Sequence, residues 1–388
     1  MIRGAETLIP PAMTNDTTKI LPTHKFMQRW QIVQHELMPE LTSQIGALTP
    51  KLEKLIHILE WVRIEEFVGG SWCGIGRPPY ERSWLANAFV AKSVLNLPNT
   101  TALIERLIAD RALRRVCGFP MCKKLPSEST FSRSFDEFAQ MKLSEKVHEA
   151  LIKENLGDVL IGHISRDGTA IEGREHPAAY TKATDTVAQP APRRRGRPRK
   201  GEVRPEAKES KIARQRKQSL REMLAEFPRQ CDRGTKCNAQ GYKVSWNGYK
   251  LHLDTADCGV PISALLSSAS MHDSLAALPL ARMSQARVKN LYDLMDAAYC
   301  SQHIRADSRE MGHVPLIDHN PRGGDKIEFA PHEALRYNER TVAERSNARL
   351  KEEFGGNSVR VKGADKVMSH LMFGVLVLSA DQLMRLRR

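Results

Sequence analysis

VLIGHISRD, Val159 to Asp167, is the stretch at which the chain changes character. It is short, apolar and rich in branched side chains, and it closes on Arg166-Asp167, so it reads as a buried strand with an acid at its end. Before it, from about residue 24 to 155, the pattern is helical. Leu52, Leu55, Ile56 and Leu59 recur at three- and four-residue steps, and Glu81 to Leu97 repeats the spacing. Pro98-Asn99 punctuates that segment, and Thr100-Thr101 offers the next helix an N-cap. A further helix opens at Pro126-Ser127-Glu128. It carries Ser129, Thr130 and Arg133 beside Phe131 and Phe135, which suits either a DNA recognition helix or an ordinary polar helix face.

After Asp167 strands and helices alternate. Tyr249 to Asp254 alternates sides, Asp257-Cys258-Gly259 turns the chain, and Ile262 to Leu266 returns as a hairpin partner. A helix from Ser274, a strand from Val288 to Met295, a helix from Ser301 to Glu310 and a strand from Val314 to Ile317 follow. A long helix from Pro331 to Phe354 and an apolar one from Lys366 to Leu386 complete the order. This predicts a mixed α/β sheet flanked by helices. The expected organisation is a flexible arm over 1–22, an all-α N-terminal domain over 23–155 that binds DNA ends, and a catalytic α/β domain over 156–388. The last carries a basic, flexible insertion over 175–235.

The charge points to a polyanionic partner. Lys and Arg number 59 against 45 Asp and Glu, a formal net charge of +14. Residues 193–221 alone hold thirteen Lys or Arg and three Glu, a net of +10. The core of that segment is Arg193, Arg194, Arg195, Gly196, Arg197, Pro198, Arg199 and Lys200. Arg195 to Pro198 resembles an AT-hook, in which an extended Arg-Gly-Arg-Pro lies in a narrow minor groove. A solvated loop that binds any phosphate backbone is the other reading, and both predict DNA contact. The apolar run from Leu371 to Leu378 falls well short of the ~20 residues of a membrane span. The first residues show no secretory signal. A cytoplasmic, nucleoid-associated protein without membrane contact is expected. The seven cysteines are never spaced C-x2-C, which argues for reduced thiols rather than a zinc site.

In-line attack on a DNA phosphodiester needs an activated oxygen, a stabilised leaving oxygen and charge neutralisation, which clustered carboxylates holding divalent cations supply. Asp167 and Asp296 each follow an apolar run and precede small residues, Gly168 or Ala297-Ala298. Either alone would pass as a turn former. Tyr337, Arg340, Glu344 and Lys351 are spaced Y-x2-R-x3-E-x6-K, and on one helix they fall within an arc of about 60°. One stripe would then present an acid, two cations and a phenol.

That stripe matches the Y-R-E-K signature of bacterial insertion-sequence DDE transposases. RDGTAI, DAAYCS and GYKLH resemble the regions around their first and second aspartates and the strand between them. RPPYERSWLANAFVAKSVLNL and LPSESTFSRSFDEF look like the N-terminal domain of the same enzymes. The resemblance covers residues 158 to 354 well. It implies a ribonuclease-H-like catalytic domain and two Mg²⁺ ions, with Mn²⁺ able to substitute. Asp167, Asp296 and Glu344 would be the catalytic metal ligands, and Tyr337, Arg340 and Lys351 would contact phosphates near the cleaved end. It also implies a homodimer or higher oligomer on double-stranded DNA, both terminal inverted repeats and target. Two features depart from the pattern: Ala297-Ala298 stands where Gly is often seen before the Tyr, and only some twenty residues separate Asp318 from Tyr337, too few for the β-rich insertion of some relatives. The expected activity is metal-dependent cleavage at element ends and strand transfer. The alternatives are a non-catalytic repressor derived from such an enzyme and a nuclease of the same fold.

Overall fold

The computed structural model describes residues 33–69, 79–177, 209–237, 240–321 and 324–387. Its sheet contains β1 (Leu160–Glu172), β2 (Asp232–Cys237), β3 (Lys243–Ala256), β4 (Pro261–Ser268), β5 (Lys289–Met295) and β6 (Val314–Ile317). β1 is central, antiparallel to β3 on one side and parallel to β5 on the other. β4 pairs antiparallel with β3, and β6 pairs parallel with β5. Three antiparallel strands, β4, β3 and β1, continued by the parallel β5 and β6, with helices on the faces, make a ribonuclease-H-like sheet, to which β2 adds by pairing antiparallel with β3.

Among the described residues seven α-helices precede the sheet: α1 (Met38–Ile45), α2 (Pro50–Val62), α3 (Arg82–Val94), α4 (Thr100–Ala109), α5 (Arg111–Val116), α6 (Glu128–Gln140) and α7 (Leu143–Leu156). α10 (Ala277–Gln285) and α11 (Gln302–Glu310) join successive strands, and α14 (Ala364–Leu386) closes the described chain. α14 is long and apolar enough to cross a membrane, but 94% of its apolar window is buried inside the protein. It packs against α2, α3, α6 and α7 on one side and β4 on the other, which is why it is apolar all round. Phe373 on α14 lies 5.9 Å from Phe89 of α3 and 6.2 Å from Phe135 of α6, ring centre to ring centre. One apolar core therefore runs from the N-terminal helices into the sheet.

Four expectations need correction. α4 is capped by Asn99, whose side chain accepts from the Ala102 amide at 2.8 Å, and Thr100 and Thr101 are already helical. The strand does not end at Asp167 but continues to Glu172, because its second half stays paired with β3 after β5 has ended. The long helix expected from Pro331 to Phe354 is two helices, α12 (Pro331–Asn338) and α13 (Thr341–Glu353), with the break at Glu339-Arg340. Finally, the C-terminal part of the basic insertion is folded. α8 (Lys211–Lys217) and α9 (Leu220–Ala225) lead into β2, and a Ser219–Glu222 capping box starts α9.

Gly248 marks the point at which β3 changes partners, being paired with both Asp232 of β2 and Glu172 of β1. Its φ is +150°, and a Cβ there would stand 2.2 Å from the Ile171 carbonyl oxygen. Only glycine fits that crossing.

Candidate active site

Strand register brings the two aspartates together. β1 and β5 run parallel with Arg166 opposite Met295, so Asp167 and Asp296 are the next residues on neighbouring chains, about 5 Å apart in the backbone. Ahead of them a buried ion pair locks the register. Arg166, 2% exposed, gives Nε and Nη2 to the Asp254 carboxylate of β3 at 2.7 and 2.8 Å. Ser284 of α10 donates to the same carboxylate at 2.7 Å. A buried pair is stable only when further hydrogen bonds satisfy both charges, and here they do.

Asp296 caps a short 3₁₀ turn, Ala297–Tyr299, accepting from the Ala298 amide at 2.9 Å. Asp318 directly follows β6, its amide bonded to the Met295 carbonyl at 3.2 Å. The acids thus gather at the carboxyl ends of the parallel strands, where open α/β sheets place their ligands. Asp273, at the start of the turn before α10, joins them and is held by Lys250 at 2.9 Å.

Glu344 lies on the first turn of α13 and is 54% exposed. Its Oε1 accepts from Arg340 Nη2 at 2.7 Å, and the Arg340 guanidinium stands 5.9 Å from the Tyr337 ring centre. Despite the helix break, the Tyr337–Arg340–Glu344 contacts form. Lys351, further along α13, lines a cavity of about 450 Å³ with Asp167, Glu344, Lys236, Lys250 and Trp246. Lys236 is carried there by β2, which begins inside the segment read as flexible and ends just past it.

The electrostatics show how crowded the acids are. Burial pushes the Asp167 carboxyl up to about 6, and Asp296 and Glu344 add to the rise, while Arg340 and a hydrogen bond from Asn347 oppose it. Asp296 is raised too, by burial first and then by Asp273 and Asp318, against its cap bond and Arg340. Burial disfavours the Arg340 charge, but Tyr337, Glu344, Asp167 and Asp296 outweigh it and raise its pKa. Burial and Lys236 lower Lys351, against the pull of Glu172 and Asp167.

Among the described residues no group of three His, Cys, Asp or Glu side chains stands in metal-holding geometry. Glu344 is engaged by Arg340, and Asp167 Oδ2 accepts from Asn347 Nδ2 at 2.9 Å. The donor chemistry nevertheless fits a hard divalent cation: carboxylates repelling one another, beside the buried Asn347 Oδ1 and Tyr299 hydroxyl, neither with a hydrogen-bond partner among the described residues.

Asn347, Asp273 and Asp318 were missed in the sequence. Asn347 is three residues past Glu344, so helical spacing placed it on the same side, but an amide carried no signal. Ser129 and Arg133 are exposed on α6, where Arg133 Nε donates to the Ser129 carbonyl at 3.3 Å, and Thr130 is half-buried beside Ser127 at 3.1 Å. None of the three lines the Asp167 cavity. Arg193, Arg194, Arg195, Arg197, Arg199 and Lys200 lie outside the described residues.

Residues 163–379 match the family model described as a transposase DDE domain, and residues 40–137 match a second, described as the transposase domain DUF772. No curated protein and no solved structure matches the chain.

Proposed function

The chain belongs to the DDE transposase family, whose domain model spans more than half of it, and from that premise we propose that it cuts DNA at the ends of its own element and joins the freed 3′ hydroxyls to target DNA. The observation that carries the reading is the register that sets Asp167 beside Asp296, with Glu344 close enough to raise Asp167 further. So many acids in one place are unfavourable without a counter-cation.

Asp167, Asp296 and Glu344 would hold Mg²⁺, or Mn²⁺ in its place, with Glu344 turning from Arg340 toward the two aspartates. A bound pair of ions supplies an activated attacking oxygen and charge neutralisation at phosphorus. Arg340, relieved of Glu344, is then available to a phosphate oxygen, and Tyr337 adds a hydroxyl donor beside it. Lys351 and Lys236, which line the same cavity as Asp167, would reach the DNA backbone there. Asn347 would orient the Asp167 carboxylate through its hydrogen bond. The basic run Arg193 to Lys200 adds affinity for duplex DNA, and two copies of the chain act on paired ends.

The test is cleavage of a duplex carrying the element's terminal repeat, with Mg²⁺ present. Asp167→Asn, Asp296→Asn and Glu344→Gln should each abolish cutting while DNA binding persists. Cutting by all three variants would refute the assignment. A wild-type chain that binds the ends without ever cutting them would favour a repressor.

A further inference from the structure

A second cavity, of about 560 Å³, lies where α3, α4 and α6 meet the loop 354–363 and α14. Its lining includes Lys92, Arg174, Arg360, Lys362 and Lys366. Of these, Lys366 has a carboxylate partner, Asp136 at 3.0 Å. The one acid in the lining, Glu128, accepts from Thr101 Oγ1 at 3.1 Å.

Lys92 is the informative residue. It is 8% exposed, and its Nζ lies 3.5 Å from His370 Nδ1. His370 Nε2 faces the Gly355 carbonyl at 3.0 Å, so it donates there and leaves Nδ1 to accept from the lysine. The imidazole is therefore neutral, in keeping with a pKa that burial, with Lys92 beside it, pushes down to about 3. Among the described residues no carboxylate forms an ion pair with the buried ammonium. Leaving a buried charge uncompensated is strongly unfavourable. Burial lowers Lys92 to about 8, so it still carries its proton at neutral pH.

The cavity also contains Asn99, Thr100 and Thr101 at the N-terminus of the ten-residue α4, where free amide groups favour an anion. Arg360, Lys362 and Arg174 are exposed at the rim. The loop that supplies Arg360 and Lys362 also supplies Asn357 to the Asp167 cavity, three residues away and hence within about 10 Å along the chain.

We propose that this cavity binds a backbone phosphate of the DNA whose neighbouring stretch lies at Asp167, with Lys92 as its buried counter-charge and Arg360 and Lys362 as its rim. The proposal rests on the transposase reading, since it takes DNA as the ligand. It makes the junction between the helical half and the sheet a clamp that sets the distance from a held phosphate to the reacting one.

The test uses the full chain and a fluorescent duplex of arbitrary sequence, with binding titrated against salt. Arg360→Ala/Lys362→Ala should lower the slope of log K against log salt by roughly two, and Lys92→Met by roughly one. Thermal melts establish that both variants fold. Wild-type slopes in two folded variants would overturn the clamp while leaving the transposase reading intact. Wild-type protein that fails to bind DNA in a salt-dependent way would overturn that reading itself. A second arm replaces DNA with inorganic phosphate. If phosphate raises Tm for wild type but not for the double variant, while DNA slopes stay equal, the site serves a small anion and the DNA assignment fails.

Discussion

Asp167 is the residue at which burial, repulsion and hydrogen bonding meet. With its carboxyl pushed up to about 6 from an ordinary 3.8, the folded chain binds a proton there that the unfolded chain has released. Stability from this group is therefore present below about pH 4 and falls as pH rises toward 6. A cation bound to the carboxylate form reverses the loss. Mg²⁺ is thus expected to raise Tm more above pH 6 than below it, which melts at the two pH values with and without the ion will show. Asn347→Leu removes a donor that favours the charged form, so Asp167 rises further. The acid limb of the cleavage rate should move to higher pH; an unmoved limb would show that Asn347 only packs. Both aspartates were legible from sequence as acids after apolar runs, but the place of Asp167 within its strand was not. Gly168 looked like a strand end. A Cβ at Gly168 would stand 3.0 Å from His252 Nδ1 across the sheet, a tight contact.

At the scale of elements, legibility followed burial. β1, β3, β4, β5 and β6 each carry an apolar face into the core and were readable as alternation or branched runs. β2, Asp232-Arg233-Gly234-Thr235-Lys236-Cys237, has no such face: Arg233, Thr235, Lys236 and Cys237 are exposed, and it exists by pairing with β3. No periodicity could reveal it. The break between α12 and α13 was hidden for a related reason, since Tyr337 to Thr341 contains neither Pro nor Gly. It turns on Arg340, whose side chain serves both Tyr337 and Glu344. The crossing at Gly248 makes a sharp prediction. Gly248→Val should separate β3 from β1 at the Glu172 end of their pairing, costing about 1–3 kcal/mol or more by overpacking and strain. Denaturant unfolding would measure it, and a loss below about 0.5 kcal/mol would contradict the crossing.

Across the whole molecule, the division into a helical half and an α/β half was apparent from the change at Asp158, and the shared core was not. Hydrophobic spacing assigns faces to helices without naming what covers them. α14 shows the consequence: its apolar length is that of a helix enclosed by α2, α3, α6, α7 and β4. Phe373, on α14 of the α/β half and 2% exposed, packs its ring against Phe89 and Phe135 of the helical half. Phe373→Ala should cost about 3–5 kcal/mol and lower one common unfolding transition in calorimetry. Two separated transitions, only one of them shifted, would mean that the halves fold independently. A common core also gives the proposed phosphate clamp a fixed distance from the acids.

The central claim is that carboxylates from β1, from the end of β5 and from α13 converge on divalent cations. Electron paramagnetic resonance of Mn²⁺ titrated into the full chain with duplex DNA tests it most directly. Wild type should take up Mn²⁺, with Asp167→Asn and Asp296→Asn each losing most of the bound signal and Mg²⁺ displacing it. Equal Mn²⁺ uptake by wild type and both variants would contradict the account.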